Sequence, residues 1–147
     1  MRKVLVIGTG GIGSFLIPLL DKVGMYTISK AIKFPILSEH QMKGFDLVIC
    51  CVDNIGVRRT LYNTSLKWLD LRAQGRNAAL VSHKADPKMY DVLLAGDDRS
   101  YSCQGDSWDG TNKGVHFMQV AIAGLGAQWT QRWFNDEQVK EYMVINV

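Results

Sequence analysis

The segment VLVIGTGGIGSFLIPLL, residues 4–20, limits the fold more than any other stretch of the chain. Residues 3–7, KVLVI, are a short β-branched run that stops at glycine, the pattern of a buried strand. Residues 12–23, IGSFLIPLLDKV, read as a helix with Gly24 as its stop. Pro18 inside that helix is a tension, because proline removes a backbone donor and tends to kink. Between strand and helix, Gly8, Gly10 and Gly13 fit G-x-G-x-x-G. In such a loop the first glycine makes the tight turn and the second lets backbone approach a phosphate. The third lets the helix pack on the strand. Free amides at the helix start then face the anion. The chain is thus expected to begin with a phosphate-binding βα unit, against the plainer reading of a glycine turn with no ligand.

The loop does not say which phosphate. A dinucleotide site usually places Asp or Glu about 20 residues further on, where it holds the ribose. Here that place carries Ser29, Lys30 and Lys33, which disfavours NAD and leaves NADP open, with its 2′-phosphate beside the lysines. Arg2 and Lys3 before an apolar run imitate a secretory leader, but four glycines within residues 8–13 would break the apolar helix a leader needs. No run is long and apolar enough to suggest a membrane span.

The remaining chain alternates strand and helix early and clusters strands late. Residues 25–29 read as a second strand, and residues 30–44 are undecided because Pro35 demotes IKFPIL. Residues 45–52, FDLVICCV, read as a strong buried strand. Residues 55–68 read as a helix capped by Asp53 or Asn54. Residues 68–73, 77–83 and 89–95 are three strand candidates. Residues 96–113 read as a long polar loop, 114–134 as a long apolar helix and 139–147 as a closing strand. The expected fold is one Rossmann-like α/β domain over residues 1–147, with a mostly parallel sheet and an antiparallel C-terminal extension.

With 147 residues the chain can bury a real core. Its net charge of +3 is small and scattered, with no Lys/Arg cluster and no aromatic–basic interleaving, so no nucleic-acid partner is expected. Three cysteines, two of them adjacent, make no disulfide framework, so a reducing, cytoplasmic setting is expected. His40, His83 and His116 are isolated from one another and read as surface or packing residues. The acids Asp97, Asp98, Asp106 and Asp109 miss calcium-loop spacing and read as solvated. Trp129, Trp133 and Phe134 recur at helical spacing and read as core or dimer interface.

A second constellation narrows the choice. The loop reads G-T-G-G-I-G-S, adding Gly11 and Ser14, and residues 46–63, DLVICCVDNIGVRRTLYN, place Asp53-Asn54 just past a buried strand. An acid at a strand's carboxyl end lies on the ligand side of such a sheet and can hold Mg²⁺ beside a triphosphate. Its plain alternative is a helix cap. Arg58 stands where it could meet phosphate oxygens, while Arg59 reads as a solvated helix position.

Together, G-T-G-G-I-G-S and V-D-N-x-x-x-R resemble the superfamily of ThiF, MoeB and the ubiquitin-activating enzymes. DLRAQGR (70–76) looks like the strand pair of smaller ThiF-like proteins, and residues 114–134 are similar to the family's long apolar helix at the dimer interface. The resemblance implies an ATP-dependent adenylyltransferase, homodimeric, acting on the C-terminal glycine of a ubiquitin-like or sulfur-carrier partner. It implies that Gly8, Gly10, Gly11, Gly13 and Ser14 cradle ATP, that Asp53 binds Mg²⁺, and that Asn54 and Arg58 support the site. The reaction would be attack of a carboxylate on the α-phosphorus with loss of pyrophosphate.

The chain departs from that pattern in two places. The family's Asp-x-Asp for the ribose, its Asn-Arg-Gln stretch and its helical lysine have no counterpart in residues 30–44. Reduced activity, or a non-catalytic dimeric binding module of the same fold, is the alternative, beside an NADP-binding oxidoreductase domain. The family's paired Cys-x-x-Cys is also missing, so no structural zinc is expected. Cys103 lies in RSYSCQGDSWDG, in the loop where some relatives carry a nucleophile. Arg99 and the helix start near Gly114 could lower its pKa, and the plain reading is an incidental cysteine.

Overall fold

The computed structural model describes residues 1–31, 38–90 and 117–147. In chain order its elements are β1 (Arg2–Ile7), α1 (Gly11–Val23), β2 (Tyr26–Ala31), α2 (Glu39–Met42), β3 (Leu47–Cys50), α3 (Ile55–Tyr62), β4 (Trp68–Gln74) and β5 (Asn77–Ser82). A 3₁₀ turn (Pro87–Met89), α4 (Met118–Phe134) and β6 (Tyr142–Asn146) follow.

These strands form one six-stranded sheet in the order β2-β1-β3-β4-β5-β6. β2, β1, β3 and β4 run parallel, and β5 and β6 add on antiparallel. The α/β class, with a parallel sheet and an antiparallel C-terminal extension, is therefore as the sequence predicts. β1 lies between β2 and β3, so strand order reverses there, and crevices for ligands open at the carboxyl ends of strands flanking such a reversal.

The period-2 geometry of the strands sorts the core into two layers. Val4, Val6, Leu47, Ile49, Leu69 and Leu71 face one side, where they pack with Leu16 and Leu20 of α1 and Ile122 and Trp129 of α4. Leu5, Ile7, Val48 and Cys50 face the other, against Met42 of α2 and Val57 and Leu61 of α3. Burial on both faces explains why β1 and β3 are continuous apolar runs rather than alternating ones.

Local chemistry sets the element ends. α1 stops at Gly24, whose φ of 73° is the left-handed conformation that ends a helix. Pro18 does not break α1. It falls on the exposed side beside Ser14, where water can take the carbonyl that proline leaves without a donor. α3 ends at Tyr62, shorter than the helix over 55–68 that the sequence suggests. The backbone turns there, with Asn63 N–H donating to the Arg59 carbonyl and Thr64 Oγ1 to the Leu61 carbonyl. The strand expected over 89–95 begins instead in the 3₁₀ turn. Asp86 accepts from the Lys88 N–H there, and Pro87 pre-sets the turn. Residues 91–95 and the loop over 96–113 lie outside the described residues. Among the described residues no helix is long and apolar enough to cross a membrane.

The aromatic positions of α4 serve packing within the chain. Trp129 is 5% exposed, stacks on Trp133 at 5.9 Å and donates its indole N–H to the Lys140 carbonyl at 2.9 Å. Phe134 meets Tyr26 at 5.4 Å, with the Arg2 guanidinium over its ring. His83 is wedged edge-on against both tryptophans, with Nδ1 3.1 Å from the Trp68 carbonyl. His40 is exposed, and His116 lies outside the described residues.

Two outcomes follow. Trp129→Ala is expected to cost about 3–5 kcal/mol of stability by chemical denaturation, the range for removing a buried aromatic. A cost under about 1 kcal/mol would contradict its place in the core. Burial holds the His83 pKa below its ordinary value, helped by Lys67 and Lys84 and opposed by the Trp68 carbonyl. The unfolded chain therefore takes up the proton first, so stability present above about pH 6.5 is lost as pH falls through that value. Denaturation at pH 7.5 and 5.5 should show a smaller acid loss in His83→Gln than in the wild type. Equal losses would refute it.

Candidate functional site

The glycine turn joins β1 to α1 at the strand-order reversal. Gly8 has a φ of 95°, which L side chains rarely adopt, and its N–H donates to the Ala31 carbonyl of β2 at 2.9 Å. The added requirement is space. A Cβ on Gly13 would collide with the Gly8 carbonyl oxygen, and one on Gly8 would collide with Val52. The helix therefore seats directly on the end of β1. Gly10 is its N-cap with no side-chain cap, and no acid stands in its first turn, so the first amides and the positive end of the helix have no acceptor or counter-charge from the helix's own first residues. Ser14 Oγ donates to the Gly11 carbonyl at 3.0 Å, which tightens the turn.

α4 begins at the same end. A Cβ on Gly11 would fall 2.7 Å from Nε2 of Gln119, a buried residue in the first turn of α4. Two helix N-termini thus converge on the glycine turn, a feature the sequence does not disclose, because Gln119 sits within an otherwise apolar segment.

The second wall of the crevice is the segment after β3. Cys51 and Val52 lie against Gly8, and Asp53 follows, half-buried. The cap of α3 is Asn54, whose Oδ1 accepts the Val57 N–H at 3.1 Å, which leaves Asp53 with a different task. Asp53 Oδ1 accepts from Arg58 NH1 at 3.1 Å. Arg58 does not reach outward to where phosphate oxygens were expected. Its side chain is 8% exposed, and its Nε donates to Asp70 Oδ1 at 3.3 Å. Burial works to lower the Arg58 pKa, but the Asp70 carboxylate and, more weakly, Asp53 outweigh it and the net shift is upward. Arg59 is exposed, as expected of a solvated helix position.

Asp70, Tyr62 and Arg72 complete this charged group, and sequence reasoning missed all three. Asp70 Oδ2 accepts from Tyr62 OH at 2.5 Å and Arg72 Nε at 3.0 Å, and Arg72 NH2 donates to Tyr62 OH at 2.6 Å. Burial, then the Asp70 charge, pushes the Tyr62 hydroxyl far above its ordinary range, so it stays a neutral donor. One signal was available. Asp70 and Arg72 are two apart in an apolar strand, which places both on one face.

Burial pushes the Cys50 thiol up to about 12, with Asp70 adding to the shift. With Cys51 also buried, this pair is suited to packing and not to thiolate chemistry. Cys103, Lys33 and Arg99 lie outside the described residues. Among the described residues no three His, Cys, Asp or Glu side chains gather to hold a metal by themselves. Mg²⁺ at nucleotides is held by one or two carboxylates together with phosphate oxygens and water. Among the described residues Asp53 is one carboxylate at this position, the kind of donor such an ion takes beside phosphate oxygens. At the end of β2, where a ribose-binding acid would stand, Lys30 is exposed in register with Val6.

No family model and no curated protein matches the chain. Solved structures do. A crystal structure of E. coli MccB with AMPCPP and MccA aligns with 99% of this chain at a TM-score of 0.56 and 10% identity. The crystal structure of PaaA aligns with 100% of it at a TM-score of 0.53 and 9% identity. The chain spans 63% of the MccB chain and 61% of the PaaA chain, less than two thirds of either. At these identities the likeness is one of fold. The protein is thus an α/β chain related in fold to MccB and PaaA, with a glycine turn and a buried charged group at the carboxyl ends of neighbouring strands.

Gly13→Ala is expected to force α1 off β1, because its Cβ meets backbone that cannot rotate away. A loss of at least about 2 kcal/mol by denaturation is expected, as for other overpacked cores. An unchanged stability would refute the close seating.

Proposed function

We propose that the crevice between the glycine turn and Asp53 binds ATP. We propose further that the chain is an adenylyltransferase-like protein acting on the C-terminal carboxylate of a peptide or ubiquitin-like partner that ends in glycine. The carrying observation is the pairing of an uncapped helix N-terminus on a glycine turn with a carboxylate held across from it by a buried arginine. The first suits phosphate oxygens. The second suits the cation that accompanies them. The fold relative MccB was crystallised with AMPCPP, a methylene analogue of ATP, and with MccA, which supports the reading.

In this reading the amides at Gly10–Gly13 take the phosphates and Ser14 stiffens the turn. Asn54 starts α3 so that Asp53 projects at the crevice mouth, and Arg58 positions Asp53. A bound Mg²⁺ would supply charge neutralisation on the phosphates. The partner's carboxylate oxygen would attack the α-phosphorus, the bond to the β-phosphate oxygen would break, and pyrophosphate would leave with that electron pair. Such chemistry rests on positioning and electrostatics more than on proton transfer. Arg58 is buried and a ribose acid is missing at the end of β2, so slow turnover is expected of this chain.

Lys30 favours a second reading, an NADP site with the 2′-phosphate beside that lysine. Thermal unfolding separates the two. A ligand at a hundredfold excess over its Kd adds about 2.7 kcal/mol of stability. The expected result is a rise in Tm with ATP that grows with Mg²⁺, with the Mg²⁺ increment lost in Asp53→Ala. A rise with NADP alone, weakened in Lys30→Ala, would replace the first reading with the second. No rise with either would refute both.

A further inference from the structure

Asp70 poses a physical question that nucleotide binding alone does not answer. It stands in β4 on the face shared with Trp68 and Tyr62, and its side chain has no exposure. Burying a carboxylate carries a large hydration cost, and a buried ion pair is often no more stable than well-packed apolar residues. Packing is therefore a poor reason for its presence. Its partners suggest a better one. Tyr62 and Arg72 hold one carboxylate oxygen and Arg58 Nε takes the other, while Arg58 NH1 reaches Asp53. Tyr62 is itself fixed, stacked on Trp68 at 4.5 Å with the rings 9° apart.

Arg58 thus has two carboxylates in unlike surroundings. Asp70 is sealed in the core, whereas the Asp53 side chain is 25% exposed at the crevice mouth. If Asp53 were the sole counter-ion, turning it toward a ligand would strand a guanidinium out of water. We propose that Asp70 is the permanent counter-ion of Arg58, a positioning residue that lets Asp53 exchange the guanidinium for a cation in the crevice. Tyr62 and Arg72 hold Asp70 in register for that task. The exchange half rests on the nucleotide reading above, and the counter-ion half does not.

A ligand-free double-mutant cycle tests the counter-ion half. Asp53→Ala is expected to lower Tm by roughly 2 °C at most and Asp70→Asn by roughly 10 °C, as for an exposed and a buried pair partner. The double variant should lose clearly more than the sum, because Arg58 then has neither carboxylate. Additive losses, or a larger loss from Asp53→Ala than from Asp70→Asn, would overturn the proposal. Should Asp70→Asn fail to fold, Arg58→Met/Asp70→Asn removes cation and carboxylate together and is expected to fold. Failure of that pair to fold would overturn the pairing.

The exchange half is read in the gain of ATP affinity on adding Mg²⁺, by calorimetry. Asp70→Asn is expected to lose about tenfold of that gain, the effect typical of outer-sphere partners, because Arg58 then captures Asp53. ATP affinity without Mg²⁺ should stay within about twofold, since the glycine turn is untouched. Arg58→Met/Asp70→Asn should recover the gain. An unchanged gain in Asp70→Asn, or no recovery in the pair, would overturn the exchange. A wild type with no Mg²⁺ gain refutes the nucleotide reading and the exchange with it, and the ligand-free cycle still decides the counter-ion role.

Discussion

The close approach of α1 to the end of β1 is the constraint from which the rest of the architecture follows. Gly13 rests on the Gly8 carbonyl with no room for a Cβ, so the axis of α1 and the height of its N-terminus above the sheet are set by backbone alone. α4 then packs beside α1 with Gln119 against Gly11, which brings a second helix N-terminus to the same edge. Because β1 lies where strand order reverses, that edge is also where the loops after β1 and β3 part. Backbone geometry therefore places the starts of two helices at the carboxyl ends of β1 and β3 before any side chain is chosen for chemistry.

The two faces of the sheet use their side chains differently. The α1/α4 face is apolar along the middle of its strands, with Arg2, Lys30 and Ser82 near strand ends, and supplies cohesion. The α3 face is apolar near the amino ends of the strands and gives way to Asp70 and Arg72 toward the carboxyl end of β4. Two arginines and two aspartates are thus concentrated beside the crevice, with Tyr62 as a neutral donor between them. Buried charge of this density adds little to stability but holds side-chain positions tightly, because each displacement exposes an uncompensated partner to a medium of low polarity.

Much of the fold was legible in the sequence. The β1–glycine–α1 unit, the buried strand near residue 48, the β4–β5 pair and the long C-terminal helix follow from periodicity, and the antiparallel extension from late clustering of strands. The exceptions have local causes. α3 ends early because Asn63 and Thr64 turn the chain, and the 89–95 strand begins as a 3₁₀ turn because Asp86-Pro87 starts one. The site was half legible. Asp53, Asn54 and Arg58 are neighbours in sequence, and their spacing could be read. Asp70, Tyr62, Arg72 and Gln119 join them only through sheet register and helix packing, which no local pattern encodes. Arg58 shows the cost of that gap. By spacing it looked free to meet a ligand, and only its partner on another strand explains why it turns inward.

Amide NMR titration with ATP and Mg²⁺ tests the placement of the nucleotide most directly. The small cleft lined by Arg2, Asp46, Trp133, Phe134 and Asp136, at the amino ends of the strands, serves as an internal control. The expected result is that the largest shifts fall on Gly8 to Ser14 and on Asp53 and Asn54, with Arg2, Asp46 and Trp133 unmoved. Shifts confined to the Arg2–Trp133 cleft, or none at the glycine turn, would contradict the assignment of the crevice as a nucleotide site.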